Sequence, residues 1–422
     1  MEKARAGRVL VSSHTAPTSA VASIGQAHYS YGIVQRGWLR ALEAAGHEAT
    51  VLRSPSTLYD PQWRERFTPG IERPHHLMIR NFRSLRPLPW ARNIAVVAWE
   101  FDRITTDAEA DPNPFRNQLG TLRACDEVWV ASSYARDAIR DGGYASVHVV
   151  PGVPMVASLT EPGALASATA ELLSAPSVTL GSGTGPSAAR EEARPLGAAL
   201  AGRAGPLFAA VLNPLDQRKD VTGLLQGFAD FAATRPQATL LVKLALNPER
   251  HDLTAFIRET LPERVMRPFR PVTSANIILI NAVLSDEAMS ALYDRSDAFV
   301  SMTRAEGQNL PVQEAMLRRL PVIVPSHTAM ADYIDEEVAF VLPADRVPVA
   351  PPFSPAYHLP RAANWYETDP AALTATLARF AAAGGDEIEV KTRAAYARIE
   401  ARYGAAAVGA MIRERLDDRV RT

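Results

Sequence analysis

Short apolar runs alternate with amphipathic stretches along most of this chain. In the first half, apolar runs bounded by polar or turn residues occupy residues 8–13, 49–52, 77–80, 94–99, 126–133 and 147–153. In the second half, they occupy residues 207–212, 239–244, 277–280, 298–302 and 321–325. Runs of this length are typical of strands that are buried on both faces, as in a parallel sheet.

Segments with a helical repeat of apolar residues follow many of these strands. We predict helices over residues 32–45, 134–141, 221–233, 253–260, 287–293, 312–320, 371–383 and 387–419, the last broken near Gly404. Ser285 is well placed to cap the helix over 287–293. The alternation of strand and helix predicts the α/β class, with a doubly wound sheet in each half of the chain.

The composition changes between the two halves. Residues 156–205 are rich in Ala, Ser, Gly and Pro and contain only a short helical pattern at 165–173, so that 175–187 is expected to be a loop. We therefore predict a first domain over 1–155, a linker over 156–205, a second domain over 206–385 and C-terminal helices over 386–422. A chain of 422 residues fits two domains of ordinary size.

Charge and cysteine content narrow the function classes. The formal net charge is −1, which does not favour a nucleic-acid partner. A single cysteine, Cys125, excludes a disulfide framework and suits a reducing compartment. Residues 1–7 lack the apolar core of a signal peptide, and no apolar run has the length of a membrane span. We expect a cytoplasmic protein, with the inner face of the membrane as the alternative.

The segment over 304–316 follows the buried strand predicted at 298–302 and combines a short loop with a helix start. Gly307 is expected to allow a tight turn, and Pro311 suits the first helical position. The free N–H groups of a helix N-terminus bind anions, and the carboxylates of Glu306 and Glu314 bracket this one. An anion beside hydroxyl groups is what a sugar nucleotide presents. The alternative is an ordinary connection with a capping glutamate and a solvated one.

Further candidates lie where other strands end, because ligands bind at the carboxyl ends of parallel strands. In N-P-L-D-Q-R-K-D over 213–220, Arg218 and Lys219 stand at a strand-to-helix turn and could neutralise a diphosphate, although a solvated basic turn is the alternative. The other candidates at strand ends are Gly25, Glu100, His327 and Thr328.

Two of these phrases resemble a known enzyme family. E-G-Q-N-L-P-V-Q-E-A-M over 306–316 resembles the E-x7-E loop of retaining glycosyltransferases of family 4, and 213–220 resembles their donor-phosphate segment. The chain departs from the usual pattern at Gln308 and Asn309, at Asn213, where many members have Arg, and at Glu100, where many have His. The resemblance implies the GT-B fold, in which two Rossmann-like domains face each other across a cleft and the last helix packs back on the first domain.

The resemblance also implies a reaction. A sugar would pass from a GDP- or UDP-sugar to an acceptor hydroxyl with retention of configuration, in the synthesis of bacterial cell-surface glycans or glycoconjugates. Arg218, Lys219 and the N–H groups near Leu310 would stabilise the departing diphosphate without a metal or other cofactor, Glu306 would hold the sugar, and Glu314 the ribose. The implied donor-binding residues are Gly25, Asn213, Gly307, Gln308, Asn309, Leu310 and Glu314, and the implied acceptor-binding residues are Glu100, His327 and Thr328.

Other functions fit the same fold. A sugar-nucleotide epimerase and a phosphorylase share the two-domain architecture, and a non-catalytic subunit that binds a sugar nucleotide beside an active partner is a third alternative. The acceptor could be a glycan, a lipid-linked molecule or a small molecule, and the first two leave room for peripheral contact with a membrane. The sequence predicts no oligomeric state.

Overall fold

The fold is seen in a computed structural model that describes residues 8–13, 27–109, 113, 116–157, 159, 163–180, 193–257, 274–349, 359 and 362–417. The strands are β1 Arg8–Ser13, β2 Glu48–Leu52, β3 His75–Ile79, β4 Arg92–Val96, β5 Glu127–Val130, β6 Val147–Val149, β7 Pro176–Leu180, β8 Arg194–Pro195, β9 Leu207–Leu212, β10 Thr239–Leu244, β11 Ser274–Ile280, β12 Ala298–Val300, β13 Val322–Pro325, β14 Phe340–Leu342, β15 Asp345–Pro348 and β16 Asn364–Glu367. The helices are α1 Ala27–Ala44, α2 Gln62–Phe67, α3 Gln118–Leu122, α4 Ser133–Asp141, α5 Ala164–Ser174, α6 Leu196–Leu200, α7 Val221–Thr234, α8 Leu253–Ala255, α9 Asp286–Asp294, α10 Leu310–Leu317, α11 Pro370–Ala382, α12 Gly385–Tyr403 and α13 Ala405–Asp417, with 3-10 turns at Pro55–Thr57, Phe82–Ser84, Asp107–Glu109, Gln217–Lys219 and Thr328–Asp332.

The first sheet is a parallel sheet of six strands in the order β2-β1-β3-β4-β5-β6. Strands β1, β3, β4 and β5 are buried along almost their whole length because helices and loops cover both faces, whereas the edge strand β2 is partly exposed. Within β3, Leu77 packs on one face, with Val9 and Ile94, while Met78 packs on the other. The predicted doubly wound sheet of the first half is therefore confirmed.

The second sheet has eight strands in the order β14-β13-β12-β9-β10-β11-β7-β8. The six strands from β14 to β11 are parallel, and β7 and β8 extend one edge in antiparallel fashion. The side chain of Ser285 caps α9 by accepting a hydrogen bond from Ala288 N–H at 3.0 Å, as predicted. The α/β class with two Rossmann-like sheets is thus confirmed for the whole chain.

One sequence-based prediction around the second sheet needs correction. The helix expected at 165–173 is present as α5, but the loop expected over 175–187 is wrong at Pro176–Leu180, which forms β7. Val178 and Leu180 are buried there in the core of the second sheet, and this burial favours pairing with β11. Residues 181–192 of the expected loop, and 258–260 of the helix expected over 253–260, lie outside the described residues.

The chain crosses between the two sheets near its end. After α12, Gly404 interrupts the helix as predicted, and α13 packs against α1 of the first domain. The side chains that make this contact are buried in the core of the first domain and are Val408, Ile412 and Leu416. Arg413 also donates hydrogen bonds to the carbonyl groups of Ala44 and Ala45 at 2.9 and 3.1 Å.

A hairpin of β15 and β16 makes a second crossing, which the sequence did not predict. It follows the second sheet in the chain, yet Ala363 and Trp365 are buried in a core cluster of the first domain, beside Phe101. The carboxylate of Asp102 accepts hydrogen bonds from Asn364 N–H at 2.9 Å and from the Arg346 guanidinium at 2.5 Å. The hairpin therefore fixes one end of the cleft between the domains.

Candidate functional site

The loop between β12 and α10 touches the first domain directly. A Cβ atom added to Gly307 would lie 3.2 Å from Cβ of Ala98 and 3.4 Å from the backbone nitrogen of Trp99. Glycine is therefore needed here for close approach of the domains. The chain bends at Gly307, as predicted, while the residue with a left-handed backbone in this loop is Asn309, with φ 63°.

Helix α10 covers Leu310–Leu317 instead of the predicted 312–320, so that Pro311, expected at the first helical position, is its second residue. Val312 N–H donates to the carbonyl of Asn309 at 3.2 Å, and Pro311 has no N–H. Within the described part of the chain, Leu310 N–H has no hydrogen-bond partner. Of the N–H groups predicted to face a phosphate, Leu310 is the one left available.

Five charged side chains meet where the carboxyl ends of the two sheets face each other. Arg218 contacts Asp216 at 2.7 Å and reaches across the cleft to Glu100 at 3.0 Å, and Lys219 contacts Glu306 at 2.5 Å. Burial raises the pKa of Glu100, and the adjacent Arg218 opposes this effect. The structure therefore brings together four residues that the sequence singled out, with three carboxylates against two cations.

Glu314 lies on the same side of the cleft, near the start of α10. One of its carboxylate oxygens accepts a hydrogen bond from the hydroxyl of Tyr293 at 2.8 Å, and the backbone N–H of Met155 also donates to the carboxylate. Burial raises the pKa of Glu314 to about 7. An ion pair between Arg36 and Asp286 lies nearby, with 3.0 Å between nitrogen and oxygen. The predicted ribose-binding carboxylate is thus half-buried and close to its protonation point at neutral pH.

His327 and Thr328 lie behind the Glu306 loop. Both ring nitrogens of His327 have partners, namely the carbonyl of Thr303 at 3.0 Å and the hydroxyl of Thr328 at 3.2 Å. Its ring stacks on Tyr366 with 4.5 Å between centroids. Burial lowers the pKa of His327 to about 4, and the Thr328 hydroxyl accepts from Glu306 N–H at 3.1 Å. These contacts position Glu306, while a contact of either residue with an acceptor stays a prediction.

The polar residues expected to bind the donor are engaged elsewhere. Gln308 donates to the carbonyl of Gly152 at 2.6 Å and accepts from Gly152 N–H at 3.0 Å, so it clasps the backbone of the first domain. The side-chain amide of Asn309 contacts the sulfur of Met330 at 3.2 Å. Asn213 accepts from Leu215 N–H at 3.0 Å. Gly25 lies outside the described residues.

Two charged residues of the cleft region were not singled out from the sequence. Asp216 holds the Arg218 guanidinium in two hydrogen bonds, at 3.2 and 2.7 Å. Arg304 contacts Asp220 at 2.9 Å and lies 4.9 Å from the ring centroid of Trp365. Asp216 lies inside the phrase over 213–220 and Arg304 begins the segment over 304–316, so the sequence could have indicated both residues but not their partners.

Metal binding and membrane insertion were searched for among the described residues. They contain no group of three or more His, Cys, Asp or Glu side chains that could hold a metal ion. The prediction of a metal-independent reaction stays a prediction. No helix in the described ranges combines the length and the apolar character needed to cross a membrane.

Comparison with known proteins agrees with this geometry. Residues 210–350, about one third of the chain, match the family model described as Glycosyl transferases group 1. A sequence comparison with curated proteins gives no significant match. The family match contains the candidate residues of the second domain from Asn213 to Thr328.

Solved structures that are similar to the chain cover almost its whole length. One is the α,α-trehalose 6-phosphate synthase of Burkholderia multivorans, with 14% identity, a TM-score of 0.56, and coverage of 99% of this chain and 100% of that chain. Another is the N-terminal domain of the Candida albicans trehalose-6-phosphate phosphatase, with 13% identity, a TM-score of 0.53 and coverage of 98% and 97%. At these identities the likeness shows the fold alone. It confirms the predicted GT-B fold, and together with the family match it supports a glycosyltransferase.

Proposed function

We propose that the protein is a retaining glycosyltransferase that moves a sugar from a UDP- or GDP-sugar to an acceptor hydroxyl. The observation that carries the proposal is the Lys219–Glu306 pair beside Arg218, at the mouth of the cleft and next to the start of α10. Cations for a diphosphate and a carboxylate for sugar hydroxyls are thus adjacent, as the two parts of the donor are. We further propose that the reaction needs no metal and serves the synthesis of cell-surface glycans or glycoconjugates.

The chemical difficulty is the departure of the nucleoside diphosphate. As the bond between the sugar carbon and the phosphate oxygen breaks, negative charge grows on the phosphate and positive charge on the sugar. Lys219, Arg218 and Leu310 N–H would stabilise the phosphate. The acceptor oxygen would bond to the same face of the carbon, and its proton would go to the departing phosphate oxygen.

The carboxylates would hold the rest of the donor and the cations. Asp216 and Glu100 fix the Arg218 guanidinium from two sides, so its position is set before the donor binds. Glu306 would accept hydrogen bonds from sugar hydroxyls while it keeps Lys219 in place. Glu314 would accept from the ribose hydroxyls, with Tyr293 orienting its carboxylate.

The experiment has a binding arm and a product arm. We expect UDP or GDP, or one of their sugar conjugates, to raise the melting temperature without added metal, because a ligand of the folded state stabilises it. The shift should disappear in Lys219→Ala and persist in Arg393→Ala, whose side chain is exposed in an ion pair with Glu389 on α12. NMR of the product formed with an acceptor panel should show the donor's anomeric configuration. A well-folded protein that responds to none of these nucleotides would contradict the proposal.

A non-catalytic sugar-nucleotide-binding subunit is the second candidate. Asn213, which stands where many family members have Arg, favours it, because its side chain forms a turn with Leu215 and adds no charge. The two candidates differ in one measurement. A binding subunit would show the melting shift but neither donor hydrolysis nor sugar transfer, whereas the enzyme would show at least one of them.

A further inference from the structure

A group of arginines lies at the carboxyl edge of the first sheet, outside the site described above. Arg80 follows β3 directly, Arg83 is in the 3-10 turn Phe82–Ser84, and Arg86 lies just beyond it. Burial lowers the pKa of Arg80, and the charge of Arg86 lowers it further. Burial likewise lowers the pKa of Arg83, with an added contribution from Arg116. Arg80 and Arg86 are therefore close enough to repel each other, as are Arg83 and Arg116, and Arg86 is joined to Arg83 by a hydrogen bond to its carbonyl at 3.1 Å.

Arg80 is the most enclosed of these arginines, with 7% of its surface exposed. Its guanidinium donates to the carbonyl oxygens of Ser13 and Ser84, and its Nε is buried without a hydrogen-bond partner among the described residues. The hydroxyl of Ser13, the last residue of the neighbouring strand β1, is also buried and has no partner in the described part of the chain. Two unsatisfied polar groups thus lie at adjacent strand ends.

Carboxylates do not compensate these charges. Among the described residues, none forms an ion pair with Arg80, Arg83 or Arg86; Arg86 donates only to the carbonyl groups of Arg83 and Leu85. Guanidinium groups stay protonated at any ordinary pH. Burying one without an anion is unfavourable, and grouping several raises the cost further. Such an arrangement is expected where a bound anion completes it.

The position of the group relates it to the acceptor side of the cleft. The ring of Phe82, beside Arg83, packs edge-on against Trp99, with 5.3 Å between centroids. Trp99 is followed by Glu100, which contacts Arg218 of the second domain. The arginines therefore follow β3, the strand next to β4, and the segment after β4 contacts the second domain. They lie on the first domain, opposite the proposed donor site.

We propose that Arg80, Arg83 and Arg86, with the Ser13 hydroxyl, bind a phosphate monoester, so that the acceptor is a phosphorylated molecule. Guanidinium groups offer pairs of N–H donors that match phosphate oxygens, and this match makes arginine the usual residue for such recognition. That the bound phosphate belongs to an acceptor rests on the proposed function, whereas the phosphate site itself does not. The phosphate could belong to a soluble sugar phosphate or to a lipid, and the test separates the two.

The test measures phosphate binding by titration calorimetry with inorganic phosphate, with a panel of hexose phosphates and with the same hexoses lacking phosphate. We expect hexose phosphates to bind and the plain hexoses to bind at least tenfold more weakly. Arg83→Gln should weaken hexose phosphate binding at least tenfold, and the control Arg393→Gln should leave it unchanged. Arg83 is chosen because its partly exposed side chain makes the variant less prone to misfolding than Arg80→Gln. A flotation assay with vesicles of phosphatidylcholine, with and without phosphatidic acid, forms the lipid arm.

Three outcomes decide the inference. Loss of binding in Arg83→Gln in either arm supports it and identifies the source of the phosphate. Equal binding by wild type and Arg83→Gln, or no binding in both arms, overturns it. Lys219→Ala serves as the internal check, because phosphate that occupied the donor site would be lost in that variant. UDP or GDP binding should persist in Arg83→Gln. The proposed function and the phosphate site can therefore fail independently of each other.

Discussion

Glu314 is a residue of the cleft whose pKa lies close to neutral pH. Burial raises the pKa from its ordinary value of 4.5 to about 7. A carboxyl group with a raised pKa in the folded chain takes up a proton on folding between the two values. The free energy of unfolding should therefore fall as pH rises from about 4.5 to about 7, to the extent that Glu314 controls it.

Glu314→Gln should remove this pH dependence. The amide stays neutral, so the variant should gain in melting temperature relative to wild type between pH 5 and pH 8 in the absence of ligand. Donor binding should weaken in the same variant, because an amide is a poorer hydrogen-bond acceptor for two ribose hydroxyls. The KM for the donor should therefore rise several-fold at pH 8. Thermal melts across pH, with Glu389→Gln on the exposed face of α12 as control, measure the first effect. Parallel pH profiles for the two proteins would show that Glu314 is not the group that titrates.

At the residue scale, the sequence identified charges better than it identified their partners. Arg218, Lys219 and Glu306 stand in phrases that predict a site on their own. The contact between Glu100 and Arg218 joins residues more than a hundred positions apart, and it depends on how the two domains face each other. Arg80, Arg83 and Arg86 recur at every third position of the sequence, but their closeness to Ser13 arises only when β1 and β3 pair.

At the scale of elements, the turn into α10 depends on one backbone conformation. Asn309 has φ 63° and ψ 64°, the left-handed region that most side chains avoid. Asn309→Ala should therefore lower the free energy of unfolding by about 1–2 kcal/mol. Asn309→Gly removes the same side-chain contact with Met330 but adopts this conformation freely, so it should be the more stable of the two variants. Urea denaturation measures both, and equal losses would assign the effect to the side chain.

The elements predicted correctly from the sequence are those in which the pattern of apolar residues reflects their burial. Strand β9 is apolar along its whole length and β10 is apolar except at Thr239 and Lys243, and the bounds of both match the prediction residue for residue. The hairpin strand β15 is mostly exposed, with Asp345, Arg346 and Pro348 facing solvent, so no apolar pattern marks it. Its position is set by the packing of Trp365 on the first domain. The local sequence pattern does not indicate this contact.

At the scale of the whole molecule, polar contacts hold the cleft at both ends. Gln308 forms hydrogen bonds with the backbone of Gly152 beside the proposed donor site. At the other end, the β15–β16 hairpin forms hydrogen bonds with Asp102. Glycosyl transfer requires that donor and acceptor sites on different domains stay aligned. The hairpin has no proposed contact with either substrate, so its contribution to alignment can be tested without touching the site.

Asp102→Ala should release the hairpin from the first domain. The variant leaves the Arg346 guanidinium and the Asn364 amide without their carboxylate, and a lost charged hydrogen bond of this kind costs about 1–3 kcal/mol. Hydrogen exchange of 345–348 and 364–367 should therefore become faster, while exchange in the parallel strands of both sheets stays unchanged. Transfer should slow because it needs the two domains to be aligned. Nucleotide affinity should change little because the residues proposed to contact the donor lie in the second domain. Glu389→Ala, which breaks the exposed pair with Arg393, is the control for loss of a carboxylate. Unchanged exchange in the hairpin together with slower transfer would mean that Asp102 acts on the reaction by another route.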